Sequence, residues 1–145
     1  MTPEERKAAI RRLNDELWNK GNVDACDEMY AEHCTMHDPD LELDGVAGLK
    51  QRVRELRAAH PDVHMNTDEV LCDGDLCATR WTMGATARHD FQGIPGTGKA
   101  YVMTGMGIAK FENDRIVEEW VDYDLLGALR QIGVVPERLG QPHPS

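Results

Sequence analysis

The sequence has no long hydrophobic run and no cluster of basic residues. None of its apolar stretches approaches the roughly 18 residues that a membrane span needs, and it begins with the charged MTPEERK rather than with a signal peptide. Its 145 residues include 16 Lys and Arg against 26 Asp and Glu, which gives a net charge of −10. Such a chain offers no basic stripe to neutralise phosphates and no attraction to an anionic membrane. We therefore expect a cytoplasmic protein with a solvated acidic surface that binds neither nucleic acid nor membranes.

Cysteine is scarce and forms no recognisable motif. No CxxC spacing is present that would indicate a metal site or a redox centre. A chain of this length buries roughly 70% of the surface that its unfolded form exposes, so it does not need disulfides to be stable. We predict reduced thiols at all four cysteines, which are Cys26, Cys34, Cys72 and Cys77.

Two patterns that suggest a metal or a phosphate ligand are incomplete. His33 and His37 are four residues apart, a spacing that brings two imidazoles together only on a helix, and the short segment before Pro39 is not predicted to be helical. The glycine-rich GIPGTGK is followed by Ala100 instead of Ser or Thr, and it lies between predicted strands. The sequence therefore predicts neither a metal site nor a phosphate loop.

Helical signals dominate the first part of the chain. The opening TPEE supplies an N-cap, a proline at the first helical position and a capping box, and the helix that follows ends at Gly21. A shorter helix is predicted over Val23–Tyr30. A third helix is predicted over about Val46–Ala59, with its apolar residues on one face and Lys and Arg outside.

The second part of the chain has the period of two that is typical of strands. Turns at Asp73-Gly74 and Asn113-Asp114 separate the strands, together with a Gly- and Pro-rich loop over 89–99. Asp124 then precedes a short helix that ends at Gly133. The predicted strands are a short edge strand within 31–39, a strand over 63–71, Leu76–Ala87, Ala100–Phe111 and Arg115–Tyr123.

Helices followed by consecutive antiparallel strands indicate an α+β fold. An antiparallel sheet that is covered by helices on one face curves, and it leaves a pocket where the helices cover only part of it. We predict one domain over residues 1–135, with a bent sheet that is wrapped by about three N-terminal helices around an apolar pocket. The Pro-rich residues 136–145 are predicted to be a flexible tail.

Several segments together resemble the SnoaL-like polyketide cyclase or ester cyclase family. They are LWNKG in the first helix, MHDP, the Arg80-Trp81 strand, GIPGTGK and IVEEWVDYDLLGALRQIG, and the likeness extends from about Ile10 to Gly133. The resemblance implies a nuclear-transport-factor-like α+β cone with an apolar pocket between a strongly bent sheet and three helices. It also implies homodimers or tetramers that associate through the sheet.

The resemblance further implies a reaction. Related cyclases close a ring of an aromatic polyketide ester by intramolecular aldol condensation without a cofactor, and they use an aspartate on the last strand and a Gln and a His on the preceding strand. Matching back from the Arg-Gln-x-Gly ending puts the aspartate position at Val121, and the Gln and His positions at Gly105 and Gly107. The chain therefore departs from the cyclase pattern at three positions.

Three residues are candidates for a catalytic role. His37 could act as a general base or bind a substrate carbonyl, or it could be an edge histidine that is bonded to the backbone. Asp122 could reach the pocket only if a one-residue bulge turned it inward in place of Val121. Asp124 lies close to the expected site, with the alternative that it caps the terminal helix.

The other candidates are expected to bind the substrate. Arg80 either reaches a carbonyl or carboxylate or forms an ion pair on the acidic surface. Tyr101 and Met103 share the parity of the two glycines, whose missing side chains either enlarge the pocket or bend the strand. The predicted set is Tyr30, Arg80, Tyr101, Met103, Gly105, Gly107, Trp120 and Val121.

The leading functional hypothesis is an enzyme without a cofactor that acts on a small apolar or aromatic polyketide-type carbonyl substrate. It would remove a proton next to the carbonyl, with His37 or Asp122 as the base and Arg80 stabilising the enolate oxygen. A related enzyme that hydroxylates or isomerises polyketides is the second hypothesis. The third is a small-molecule binding protein without chemistry, which the loss of three polar pocket positions would allow.

Overall fold

A computed structural model describes residues 1–39, 45–136 and 138 of the chain. Three helices and an edge strand come first and four consecutive strands follow, which confirms the predicted α+β class. The elements are α1 (Pro3–Asn14), α2 (Cys26–Met29), β1 (Tyr30–His37), α3 (Gly45–Ala59), β2 (His64–Asp73), β3 (Leu76–Thr86), β4 (Ala100–Glu112), β5 (Arg115–Tyr123) and α4 (Leu125–Ile132).

Helix α1 begins with the predicted capping box. The hydroxyl of Thr2 accepts a hydrogen bond from the backbone N–H of Glu5 at 3.1 Å, and the carboxylate of Glu5 accepts one from the N–H of Thr2 at 3.3 Å. The helix continues into a π-helical turn over Asp15–Asn19, and the chain leaves it at Gly21, where φ is +73°. Leu17 in this turn is almost completely buried, so the apolar face of α1 extends through the turn.

The second helical segment is shorter than predicted. Val23–Ala25 forms a single 3₁₀ turn, α2 occupies one turn after it, and Tyr30 begins β1 instead of ending the helix. The side chain of Asn22, which could have capped this segment, donates its hydrogen bond to Glu16 instead. Tyr30 therefore projects from the sheet.

The five strands form one sheet in the order β1-β5-β4-β3-β2. Strands β2 to β5 pair antiparallel in chain order, as their alternating pattern predicts. Strand β1 is the predicted edge strand, and it pairs in parallel with β5, so that His37 lies opposite Trp120. The end of β1 and the end of β5 are thereby brought to the same part of the sheet.

A bulge in β2 reverses the predicted alternation in that strand. The period of two places Leu71 on the same face as Val63 and Met65. The pairing with β3 shifts between Thr67 and Glu69, however, and Leu71 is 64% exposed while Val70 is buried. One extra residue in a strand turns every later side chain to the opposite face, which explains the error.

The two faces of the sheet have different surroundings. The inner face packs against α1, α3 and α4, and the buried core lies between them. The outer face of β4 and β5 carries exposed apolar side chains, which are Val102, Met106, Ile108 and Trp120. Within the described part of the chain, no helix is long and apolar enough to cross a membrane.

The prediction of four reduced cysteines is wrong for one pair. Cys72 and Cys77 face each other across the β2–β3 hairpin, and they are joined by a disulfide. The turn at Asp73-Gly74 places the two cysteines opposite each other. The prediction of reduced thiols was argued from the size of the domain, which does not take this pairing into account. Cys26 and Cys34 are free and buried, and burial raises the pKa of each thiol to about 12.

Helix α4 has the predicted boundaries. Its N-cap is Asp124, whose carboxylate accepts a hydrogen bond from the N–H of Gly127 at 2.9 Å. Gly133 ends it in the left-handed conformation, with φ at +88°. Most of the predicted tail over 136–145 lies outside the described residues.

Candidate functional site

A cavity of about 200 Å³ lies between the inner face of the sheet and helices α1, α3 and α4. An engineered apolar cavity of about 150 Å³ holds benzene in another protein, so this cavity has room for a larger ring. Most of its wall is apolar, as is usual for small-molecule sites. The apolar side chains include Leu17, Trp18, Leu56, Met83, Met103 and Ile132.

Glu119 places a carboxyl group in this apolar wall from the inner face of β5. The hydroxyl of Tyr30 lies 3.2 Å from both carboxyl oxygens and donates a hydrogen bond to the carboxylate. Burial raises the pKa of Glu119 to about 7, although the hydrogen bond from Tyr30 opposes the shift. Burial, reinforced by Glu119, raises the pKa of Tyr30 well above its usual value, so Tyr30 remains a donor. A carboxyl group that is half ionised near neutral pH can both take up and return a proton.

A second polar group faces the same cavity further along β5. Nη1 of Arg52 donates to Oδ2 of Asp38 at 2.8 Å and to the hydroxyl of Tyr123 at 3.1 Å. The Tyr123 hydroxyl donates in turn to Oδ1 of Asp38 at 2.8 Å. The side chains of Arg52 and Asp38 are only 10% and 8% exposed. Burial alone would lower the pKa of Arg52, but Asp38 and Tyr123 raise it, so the guanidinium stays charged in this buried position.

The position of Arg52 corrects the prediction that the basic residues of the third helix lie outside. Arg52 comes three residues after Leu49 and four before Leu56, so it shares their face of α3. Asp38 follows directly after β1, and the pairing of β1 with β5 brings it to Tyr123 at the end of β5. The packing of α3 against β1 brings Arg52 to the same place.

A hydrogen-bonded pair of Tyr101 and His60 forms a third part of the wall. Tyr101 lines the cavity from β4, and its hydroxyl lies 2.7 Å from Nδ1 of His60, which follows α3. Burial lowers the pKa of His60 and raises the pKa of Tyr101 to about 12. Both side chains are therefore neutral near pH 7.

His37 lies where the cavity wall reaches the solvent. Its Nε2 is 2.8 Å from the carboxylate of Glu118, and its ring stacks on Trp120 with 5.6 Å between the ring centroids. Its side chain is 36% exposed, and it contributes to the lining of the cavity. Among the residues that the structure describes, no group of three or more His, Cys, Asp or Glu is arranged to hold a metal ion.

Five of the residues predicted to bind the substrate line the cavity, namely Tyr30, Tyr101, Met103, Gly107 and Val121. Gly105 does not, because the indole ring of Trp81 occupies the space that a side chain at Gly105 would fill. An aromatic ring that covers a glycine on the neighbouring strand is a known way to stabilise a sheet. Of the two glycines, only Gly107 lines the cavity, and a Cβ added there would lie 3.0 Å from the carbonyl oxygen of Trp120.

The structure places the other predicted site residues outside the cavity. Asp122 and Trp120 lie on the outer face of β5, because β5 stays in regular register from Glu118 onward and no bulge turns Asp122 inward. Arg80 lies on the outer face of β3, where it forms ion pairs with Asp68 and Glu69. Asp124 is the N-cap of α4.

Four polar residues that line the cavity are not among the predicted site residues, although the sequence carries a signal for three of them; they are Asp38, Arg52, Glu119 and Tyr123. Val121 was placed on the inner face, and the period of two puts Glu119 and Tyr123 on that face as well. The position of Arg52 within an apolar helical stripe was a second signal. Nothing in the sequence links His60 to Tyr101, which is 41 residues away.

Comparisons with known proteins show the family and the fold of the chain. A model of the SnoaL-like polyketide cyclase family matches residues 8–132. A candidate polyketide cyclase from Acidithiobacillus ferrooxidans is 34% identical over 86% of this chain and 92% of its own, with a TM-score of 0.72. None of the functionally curated proteins matches the chain significantly.

Two proteins from Streptomyces extend the comparison. IdmH from Streptomyces antibioticus, a candidate polyketide cyclase, is 26% identical and covers 92% of this chain and 100% of its own, with a TM-score of 0.75. AclR from Streptomyces galilaeus, a candidate hydroxylase, is 21% identical and covers 93% of this chain and 89% of its own. Its TM-score of 0.81 shows a shared fold and nothing further about the reaction.

Proposed function

Because the chain belongs to the SnoaL-like polyketide cyclase family, we propose that it is a cofactor-independent enzyme that removes a proton next to a carbonyl group of an apolar, polyketide-type substrate. The observation that carries this proposal is Glu119, a carboxyl group with a pKa of about 7 in the wall of an apolar cavity. A base for this step must be ionised at the working pH yet basic enough to take a proton from carbon. A carboxyl group meets both requirements when burial raises its pKa to near neutral pH.

The proposed step uses Glu119 and Tyr30 together. The Glu119 carboxylate takes the proton, the carbon–hydrogen bond breaks, and its electron pair moves to the carbonyl oxygen to give an enolate. The Tyr30 hydroxyl, 3.2 Å from the carboxylate, is a donor that can turn toward the enolate oxygen once Glu119 is protonated. In a cyclase, the enolate carbon then bonds to a second carbonyl carbon, the π electron pair of that carbonyl moves to its oxygen, and this oxygen takes the proton from Glu119. In an isomerase, Glu119 returns the proton to a carbon of the enolate.

The proposed base lies on the same strand as the position that resembles the cyclase aspartate, but not at that position. The position that resembles the cyclase aspartate is Val121, and Glu119 is its inner-face neighbour, about 7 Å away along β5. The carboxylate would thus be displaced by one inward-facing residue rather than lost. His37 and Asp122, the bases suggested by the sequence, are replaced in this role, since His37 is bonded to Glu118 and Asp122 lies on the outer face.

A hydroxylase and a non-catalytic binding protein are the alternatives. The shared fold with AclR is compatible with a hydroxylase, and the cavity by itself is compatible with binding alone. The raised pKa of Glu119 distinguishes the proposed enzyme from a non-catalytic binding protein, because a binding protein does not need a carboxyl group that titrates near neutral pH.

Proton removal can be tested without the natural substrate. Hydrogen–deuterium exchange at the carbon next to the carbonyl of 2-tetralone is followed by NMR in deuterated buffer. We expect the protein to accelerate this exchange, with a rate that rises through about pH 7 as Glu119 ionises. The E119Q variant should lose at least about 100-fold of the acceleration, which is the usual contribution of a positioned base.

The matched control is D122N, which removes a carboxylate on the outer face of the same strand. It should keep the full exchange rate. If 2-tetralone and related bicyclic ketones bind saturably but do not exchange faster than in buffer, the protein is a binding protein. If E119Q retains the wild-type rate while it remains folded, Glu119 is not the base.

We also propose that the chain forms a homodimer or tetramer through the outer face of the sheet, and that residues 1–135 make up one domain. The support for association is the exposed apolar cluster of Met106, Ile108 and Trp120, in which Ile108 and Trp120 are cross-strand neighbours. Contiguous exposed apolar side chains on a sheet face are typical of protein interfaces.

A further inference from the structure

The guanidinium of Arg52 uses only one of its two edges. Nη1 carries both short hydrogen bonds, to Asp38 and Tyr123. Nε, on the opposite edge, has no hydrogen-bond partner within the described ranges, although it is buried. Nη2 has a single contact, with Oε1 of Gln92 at 3.5 Å. Nε and Nη2 form the edge with which arginine binds paired oxygen acceptors, so this edge is underused.

Gln92 occupies this edge weakly. Its amide oxygen is 3.5 Å from Arg52, well beyond the usual length of about 2.9 Å, and its amide nitrogen donates to Glu55 at 3.3 Å. The residue lies in an exposed tight turn between Phe91 and Ile94, and it lines the cavity. Its side chain can therefore leave at small energetic loss when another oxygen reaches Arg52.

The surrounding charges decide which kind of oxygen fits. Asp38 already neutralises Arg52, and Glu55 lies on the far side of Gln92. A carboxylate at this edge would add a negative charge beside two acidic side chains in a buried setting, which is unfavourable. The amide oxygen of Gln92 is itself a neutral carbonyl acceptor. A neutral carbonyl or ester oxygen repeats this interaction without adding a charge.

We propose that Arg52 anchors a neutral carbonyl or ester oxygen of the ligand, which takes the place of the Gln92 amide oxygen. The inference rests on the proposed function, since it assigns the polar end of the same substrate. Tyr123, which contacts Arg52, lies four residues from Glu119, about 13 Å along β5. The ligand would be an elongated, uncharged ring compound with one oxygen at Arg52 and its reacting carbon near Glu119.

Binding of three matched naphthalenes tests the anchor by isothermal titration calorimetry at pH 7. The probes are methyl 2-naphthoate, 2-naphthoate and 2-ethylnaphthalene, which share a ring and differ in the polar group. We expect the ester to bind at least about 10-fold more tightly than the hydrocarbon and the carboxylate. The D38L/R52L double variant should lose this preference and still bind the hydrocarbon, since replacing a buried ion pair by apolar side chains is tolerated.

A second variant keeps the test decisive if the double variant does not fold. Q92A removes the competing amide, so it should bind the ester a few-fold more tightly and the hydrocarbon unchanged. R80L, which removes an arginine from the outer face, should leave all three affinities as in the wild type.

Three results would overturn the anchor: an ester preference that survives in D38L/R52L, an ester affinity that is unchanged in Q92A, or tighter binding of the carboxylate than of the ester. These measurements require no turnover, and E119Q should keep the ester preference. Failure of the anchor is therefore distinguishable from failure of proton removal by Glu119.

Discussion

Glu119 and Asp38 both line the cavity, and their surroundings differ. Asp38 accepts hydrogen bonds from the Arg52 guanidinium and the Tyr123 hydroxyl. Among the described residues, the hydrogen-bond partner of Glu119 is the neutral hydroxyl of Tyr30, and burial in the apolar wall raises the pKa of Glu119 to about 7. A carboxyl group with such a pKa can carry a proton near neutral pH, which is the role that we propose for Glu119.

The raised pKa of Glu119 makes the stability of the protein depend on pH. Its pKa rises from 4.5 to about 7 on folding, so its stabilising contribution is complete below pH 4.5 and is lost as the pH rises through 7. E119Q cannot ionise. We expect the variant and the wild type to unfold with similar free energies near pH 4.5, and E119Q to be more stable at pH 8 by up to ~3 kcal/mol.

Urea denaturation of both proteins from pH 4.5 to 8.5 measures this difference. E112Q, which changes an exposed glutamate on β4, should follow the wild-type curve at every pH. If the E119Q and wild-type curves run parallel, Glu119 does not ionise near neutral pH in the folded protein.

Single residues were predictable where one local rule determines them. The positions of Val121 and Met103 follow from alternation along a strand, and the cap at Asp124 follows from its place before an apolar helix. Glu119 obeys the same alternation, but charged residues are rarely buried, so the alternation alone does not mark it as part of the site. The contact between Gly105 and Trp81 depends on the register of two strands, which one sequence does not determine.

The elements show how bulges control which side chains reach the cavity. In β5 the pairing with β4 shifts at Val117, so that Ile116 and Glu119 both face inward although they are three residues apart. The bulge in β2 exposes Leu71 in the same way. The boundaries of the strands could be predicted from turn residues. The bulges that shift the pairing could not, because the extra residue in a strand is not of a type that distinguishes it from its neighbours.

Helix α4 depends on its N-cap and on the beginning of β4. Asp124 caps the N-terminus, and the side-chain amide of Gln131 bonds both the N–H and the carbonyl of Val102 at 2.7 and 2.9 Å. Gln131 thus occupies the edge of β4 beyond the last pair with β5. Leu129 and Ile132 of this helix line the cavity, so its position helps to shape the site.

Loss of the cap should weaken the fold without abolishing the chemistry. We expect D124A to lose about 1 kcal/mol of unfolding free energy, because the Gly127 N–H would lose its acceptor. D124N is the matched variant, since asparagine removes the charge but still caps a helix, and it should be close to the wild type. Urea denaturation checks stability, and exchange of 2-tetralone checks activity. If D124N loses exchange activity while folded, Asp124 has a chemical role in addition to capping.

At the scale of the whole molecule, the two faces of the sheet have separate tasks. The inner face holds the cavity, and its polar groups come from β1, β4, β5 and α3. The outer face holds the apolar cluster of Met106, Ile108 and Trp120. Because side chains alternate between the faces, neighbouring residues of one strand serve both tasks: Val121 lines the cavity and Trp120 faces outward. The architecture could be predicted from the order of the elements, but this division depends on the register.

The outer face allows self-association to be tested apart from the cavity. We expect light scattering after gel filtration to give the mass of a dimer or tetramer for the wild type and of a monomer for I108E, because a buried unpaired carboxylate opposes association. L126E, which places the same charge on an exposed residue of α4, away from the outer face of the sheet, should keep the wild-type mass. Each chain carries a net charge of −10, so added salt should strengthen association by screening repulsion between the copies. A monomeric wild type at all salt concentrations, or an I108E variant with the wild-type mass, would contradict an interface at this cluster.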